Sequence, residues 1–143
     1  MTDHPMHAFA RAFCDALSAR EPVRLARFLH DEIEWTVFGP IGLLPFFGHR
    51  KGKAMVIAML DRMSDSLQLR GCNVERSLTD GNQAASMIRI SARDLRSGRT
   101  LSLRIAMFAQ FSGETLIGLR AVIDTFDAAE QAIGRHIDLS AVA

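Results

Sequence analysis

The chain has 143 residues, 48% hydrophobic and 23% charged, with a formal net charge of +1. That length suits one soluble globular domain with a real core, and a near-neutral balance with scattered arginines speaks against nucleic-acid binding. Cys14 and Cys72 are lone residues without metal-ligand spacing, so neither a disulfide scaffold nor a metal site is expected.

From the N-terminus, residues 5 to 19 space Ala8, Phe9, Ala12, Phe13, Ala16 and Leu17 at helical intervals, which predicts an amphipathic helix. This start lacks the long apolar segment of a signal peptide or membrane span, so a reduced cytoplasmic protein without a membrane partner is expected. Glu21-Pro22 predicts a second helix with proline at its first position. Ile33 to Val37 reads as a short strand carrying the only tryptophan, Trp35. Residues 38 to 52, rich in glycine and proline, read as a long apolar loop of the kind that often serves function. Lys53 to Met63 predicts a third helix with Met55, Met59, Leu60 and Met63 on one side. Leu67 to Leu78 reads as a strand, Thr79-Asp80-Gly81-Asn82 as a turn, and residues 84 to 95 as the next strand. Asp127 with Glu130 resembles a capping box, so a short C-terminal helix is expected there, followed by a loose tail.

The stretch Arg99 to Asp127 organises the rest. Leu101, Leu103, Ile105, Met107, Ala109 and Phe111 alternate with Ser102, Arg104, Ala106, Phe108 and Gln110, the period of a strand with one buried face. Ser112-Gly113-Glu114 signals a tight turn into a second strand over 115 to 126. With two-residue turns here and at Ser97-Gly98, Ile90 falls opposite Ile105. One face then collects Ile88, Ile90 and Ala92, Leu103, Ile105 and Met107, and Gly118, Val122 and Asp124. Asp94 shares that face, and a one-residue slip would turn a whole strand over. The other face holds Phe108, Ile117, Leu119, Ala121 and Ile123 and needs a cover of its own, so a homodimer through the sheet is expected. The architecture is α+β: a conical barrel of a curved, mostly antiparallel sheet wrapped around three N-terminal helices, forming a single domain.

Three features together carry a family resemblance. They are Glu34-Trp35-Thr36-Val37-Phe38-Gly39-Pro40, the stretch Phe47-Gly48-His49-Arg50-Lys51-Gly52-Lys53-Ala54-Met55-Val56, and the ending Ile123-Asp124-Thr125-Phe126-Asp127. They resemble SnoaL-like proteins of the nuclear-transport-factor-2-like superfamily, whose relatives include ketosteroid isomerase and limonene epoxide hydrolase. The resemblance implies a deep apolar pocket between helices and concave sheet, usually in a dimer. The ketosteroid isomerase base would fall near Phe38 or Gly39, its tyrosine near Phe13 and its second acid near Met107, so that chemistry is not expected here. Asp124 matches the aspartate that ends the last strand of SnoaL-like polyketide cyclases. Asp94 and Asp124 resemble the aspartate pair of limonene epoxide hydrolase, with Ala92 in the place of its arginine.

The candidate catalytic residues are therefore Asp124 and Asp94. A carboxylate on an apolar face has its charged form disfavoured, which moves its pKa toward useful values. The expected ligand wall is Phe13, Trp35, Val37, Phe47, Met59, Ile90, Leu103, Ile105, Met107 and Val122, its methionines suited to a broad apolar pocket. Phosphate-loop, dinucleotide and nucleophile-elbow motifs are missing from the sequence. The expectation is a small hydrophobic ligand and, for an enzyme, cofactor-free acid–base chemistry of isomerase, cyclase or hydrolase type. The alternative is a binding or dimerisation module without turnover.

Overall fold

The computed structural model describes residues 4–39, 46–124, 130–131 and 134. Helix α1, Pro5–Ser18, begins on a proline, where the missing N–H costs no hydrogen bond. His4 caps it: Nδ1 accepts from the Met6 amide at 3.1 Å, which leaves Nε2 to donate to the Gly81 carbonyl at 3.0 Å. One ring thus ties the start of the helix to a distant hairpin turn. Arg20, at φ 58°, forms the left-handed turn beyond α1, its amide reaching back to the Leu17 carbonyl at 3.3 Å. The helix expected from Pro22 is a 3-10 helix, Pro22–Phe28.

Six strands follow: β1 Leu29–Phe38, β2 Gly48–Lys51, β3 Leu67–Asp80, β4 Gln83–Asp94, β5 Thr100–Ser112 and β6 Thr115–Ile123. Helix α2, Lys53–Ser66, lies between β2 and β3. The strand expected from Ile33 starts earlier, and the loop expected over 38 to 52 contains β2; residues 40–45 of that loop lie outside the described residues. The sheet order is β2-β1-β6-β5-β4-β3, with β1 parallel to β6 and every other pair antiparallel. Among the described residues β2 and β3 are free edges, so the cone is an open sheet rather than a closed barrel. The helices cover one face of it. Phe9 and Leu17 of α1, Leu25, and Val56, Met59 and Leu60 of α2 are buried against Ile33, Ile88, Leu103, Leu116 and Leu119 of the strands.

Register decides what that face carries. The β4–β5 turn is longer than two residues: the Asp94 amide donates to Arg99 O at 2.8 Å and the Gly98 amide to Asp94 O at 2.8 Å, with Gly98 at φ 75°. Ile90 consequently faces Leu103, and Ile88 faces Ile105. That displacement of two residues leaves both strands on their expected faces. The β5–β6 hairpin differs. Ser112 pairs with Thr115 and Phe111 with Leu116, yet Gln110 pairs with Gly118. Ile117 is an extra residue, a bulge, and beyond it every β6 side chain is turned over. Leu119, Ala121 and Ile123 are buried, while Val122 is 52% exposed. The expected inward set of Gly118, Val122 and Asp124 is therefore an outward set, and the expected outward Leu119, Ala121 and Ile123 point inward.

The start of the C-terminal helix expected at Asp127 lies outside the described residues. Beyond it, the Ser102 amide donates to Gln131 Oε1 at 2.7 Å and Gln131 Nε2 donates to Ser102 O at 2.8 Å. One carboxamide supplies β5 with the pair of bonds a neighbouring strand would make. Among the described residues no helix is long and apolar enough to cross a membrane.

Candidate functional site

Beneath α1, between the helices and the inner face of the sheet, lies a cavity of about 310 Å³, within the size range of small-molecule sites. Phe13, Trp35, Val37, Met59, Ile90, Leu103, Ile105 and Met107 face it, arriving from α1, α2, β1, β4 and β5. The bulged strand adds Leu119, Ala121 and Ile123, and the loop before β2 adds Phe46. Phe47 is buried but sits behind this wall, its ring packed on Gly39, where a β-carbon would overlap it. The floor is aromatic: Phe13 stacks on Trp35 at 6.3 Å between ring centroids, and Phe9 meets Trp35 edge-on at 6.5 Å.

Neither expected acid stands in the cavity. Asp124 is exposed at the end of β6, on the side of Val122 rather than Ile123. The bulge at Ile117 is the physical reason. Asp94 closes its own turn: Oδ1 accepts from the Arg96 amide at 3.0 Å and Oδ2 from the Ser97 hydroxyl at 3.0 Å. The Arg96 amide above all, with the Ser97 donors, holds the Asp94 carboxyl below the usual carboxylate range. A depressed carboxyl stabilises the fold above its unfolded pKa, and that contribution fades as pH falls through the folded value. Asp94→Ala is therefore expected to cost about 0.5–1 kcal/mol at neutral pH, an exposed turn cap being worth little more. The difference from wild type should vanish in urea melts at acid pH.

Among the described residues the cavity wall has no Asp, Glu, Lys or Arg; its polar members are His7, Cys14, Ser64, Cys72, Ser77, Ser86 and Trp35. Ser77 and Ser86 hydroxyls meet at 3.1 Å across β3 and β4. The Trp35 indole N–H is buried and has no hydrogen-bond partner among the described residues, a state that costs about 1–3 kcal/mol. The two thiols form a pair, Cys14 on α1 and Cys72 on β3, both free and half-buried. Two bulges in β3, after Leu69 and after Val74, bring Cys72 opposite Ile90 and onto the inner face. The hydrogen bond from Cys14 lowers the Cys72 pKa from 9.0 to about 7, against the opposing effect of burial. Cys14 moves the other way, raised by that same bond, by burial, and by the charges of Cys72 and Asp15. Alkylation of Cys72 by iodoacetamide should thus rise with a midpoint near pH 7, and Cys14→Ala should move that midpoint up toward an ordinary thiol.

A shallower groove of about 960 Å³ runs over the outer face of the sheet, lined by Glu34, Thr36, His49, Phe108 and Arg120 among others. It is larger but mixed in polarity and open to solvent. The inner cavity is the better candidate because it removes a ligand from water on most sides.

Against known proteins, the model of the SnoaL-like domain family matches residues 10–117. The chain belongs to the SnoaL-like family. A protein from Rhodopseudomonas palustris, proposed to be an isomerase, is similar to this SnoaL-like chain at 41% identity with a TM-score of 0.89, covering 94% of this chain and all of that one. A nuclear-transport-factor-2-like protein from Burkholderia xenovorans is 18% identical, with a TM-score of 0.69 over 92% of this chain and 98% of its own. A Mycobacterium tuberculosis protein solved with estradiol-17β-hemisuccinate is 15% identical, with a TM-score of 0.69 over 83% and 93%. At such identities these last two establish a common fold alone. No curated protein matches the SnoaL-like chain.

Proposed function

We propose that this SnoaL-like protein binds a small, largely hydrophobic, ring-bearing molecule in the cavity beneath α1, without a cofactor, as a homodimer joined through the outer face of its sheet. The observation that carries the reading is the cavity wall, which draws apolar side chains from all seven helices and strands around it and is free of carboxylate and cationic side chains among the described residues. Such a wall rewards removal of apolar surface from water and gives a charge buried within it no partner, so a charged tail has to stay outside. The aromatic floor of Phe13 and Trp35 suits a flat ring system. The steroid held by the Mycobacterium tuberculosis relative is a molecule of that kind. Exposed Phe38, Met87, Phe108 and Val122 on the outer face support the dimer.

Trp35, the single tryptophan, reports on the site directly. Titration with estradiol-17β-hemisuccinate and a panel of other apolar ring compounds should give saturable quenching with Kd of about 1–100 μM, together with a rise in melting temperature. If no compound changes either signal and nothing small co-purifies, the reading is wrong.

Turnover is a second reading, favoured by the proposed isomerase activity of the Rhodopseudomonas palustris relative. Its proton would be handled inside the cavity by Cys72 and Cys14 or at His7, rather than by Asp124 or Asp94. Asp124→Asn should then leave any activity unchanged.

A further inference from the structure

We infer that Cys14 and Cys72 form a reversible disulfide that staples α1 to the edge strand β3 across the wall of the cavity. Both thiols are free, both line the same cavity, and they lie on elements that pack against each other. Each thiol is the leading influence on the other's titration, which fits two neighbouring sulfurs. Closing the pair to a bond of about 2.05 Å asks the backbone to move. The strand is built to give: β3 pairs on one side only, and register breaks at Leu69/Gly71 and at Val74/Arg76 bracket Cys72. Gly71, beside it, has open space where a side chain would be. A metal is the weaker reading for the pair, since among the described residues no third His, Cys, Asp or Glu joins them.

The oxidant is a peroxide. The Cys72 thiolate attacks one peroxide oxygen, a sulfur–oxygen bond forms, the oxygen–oxygen bond breaks, and hydroxide leaves. The Cys14 sulfur then attacks the Cys72 sulfenic acid. The disulfide forms, the sulfur–oxygen bond breaks, and the departing oxygen leaves as water with the Cys14 proton. Two thiols lose two electrons, and the peroxide is reduced to two waters. His7 and Val74, exposed members of the same wall on α1 and β3, place the staple beside the way in. The bond would fix the width of that mouth.

The test needs no ligand, so it stands apart from the binding reading. The intact protein is treated with hydrogen peroxide and digested without reduction. The expected result is loss of both reactive thiols, a mass lower by two hydrogens, one peptide linking Cys14 to Cys72, and a melting transition several degrees higher that dithiothreitol reverses. Cys14→Ser and Cys72→Ser, each shown to melt like the reduced wild type, should give no internal link. Oxygen added to wild type without a link, a link only between chains, or a linked chain with unchanged melting would each overturn the proposal.

Discussion

Ala121→Phe is expected to abolish ligand binding, weakening it by about 100-fold or more, while the protein still folds. Ala121 is 4% exposed and lies on the cavity wall, paired with Met107 of β5 and with Val37 of β1. A phenyl ring there has one direction to grow, into the cavity, and would occupy much of the space that a ligand needs. Overpacking of a core costs about 1–3 kcal/mol; here the void absorbs part of the added ring, so the loss of stability should fall at the low end. The informative control is the next residue. Val122 is 52% exposed on the opposite face, and Val122→Phe should leave binding untouched. Isothermal titration of both variants with the best steroid ligand measures the contrast. If Val122→Phe blocks binding and Ala121→Phe does not, the inner face of β6 has been assigned the wrong way round.

That contrast marks where the sequence could be read and where it could not. The alternation of β5 is unambiguous because polar Ser102, Arg104 and Gln110 separate its apolar residues, and burial then selects one face. The β4 strand was equally legible, and a turn longer than expected moved its partners by two, an even step that changes no face. In β6 the same reasoning had nothing to hold. Leu116, Ile117, Leu119, Ala121, Val122 and Ile123 put apolar side chains on both faces, so hydrophobic pattern alone accepts either register. The deciding residue, Ile117, is an extra one opposite Gln110, and neighbouring Gly118 is the one local sign that strand pairing is irregular there. Asp124 consequently changed sides, and with it the supposed acid of the site. Val122 went the same way, and Phe47 was one residue from the wall residue Phe46. The aromatic positions on α1 and Met59 and Met63 on α2 were legible from helical period alone, but Met55, expected on the same side, is 53% exposed. The thiol pair was not, because Cys72 reaches the inner face only through bulges in β3, and its partner is a helix away.

Phe111→Ala should be the most destabilising single substitution considered for this fold, at about 3–5 kcal/mol for emptying a fully buried aromatic site. Phe111 is 1% exposed and stands where three parts of the chain meet. Its ring takes the His4 ring edge-on at 5.6 Å and the Phe9 ring at 6.4 Å. Its amide donates to Asn82 O at 2.9 Å, in the turn whose Gly81 carbonyl binds His4. It is also the first β5 residue beyond the bulge, where the hairpin returns to simple pairing with Leu116. Removing the ring thus empties a site at the root of α1, loosens the cap of that helix and frees the register point that turns Ala121 inward. Phe108→Ala, on the same strand but 64% exposed, should cost less than about 1 kcal/mol in the monomer, as surface substitutions do. Urea unfolding of both variants, followed by Trp35 fluorescence, compares them on one scale. A Phe111→Ala loss no larger than that of Phe108→Ala would mean that α1 and the β5–β6 hairpin are held together by something other than this junction.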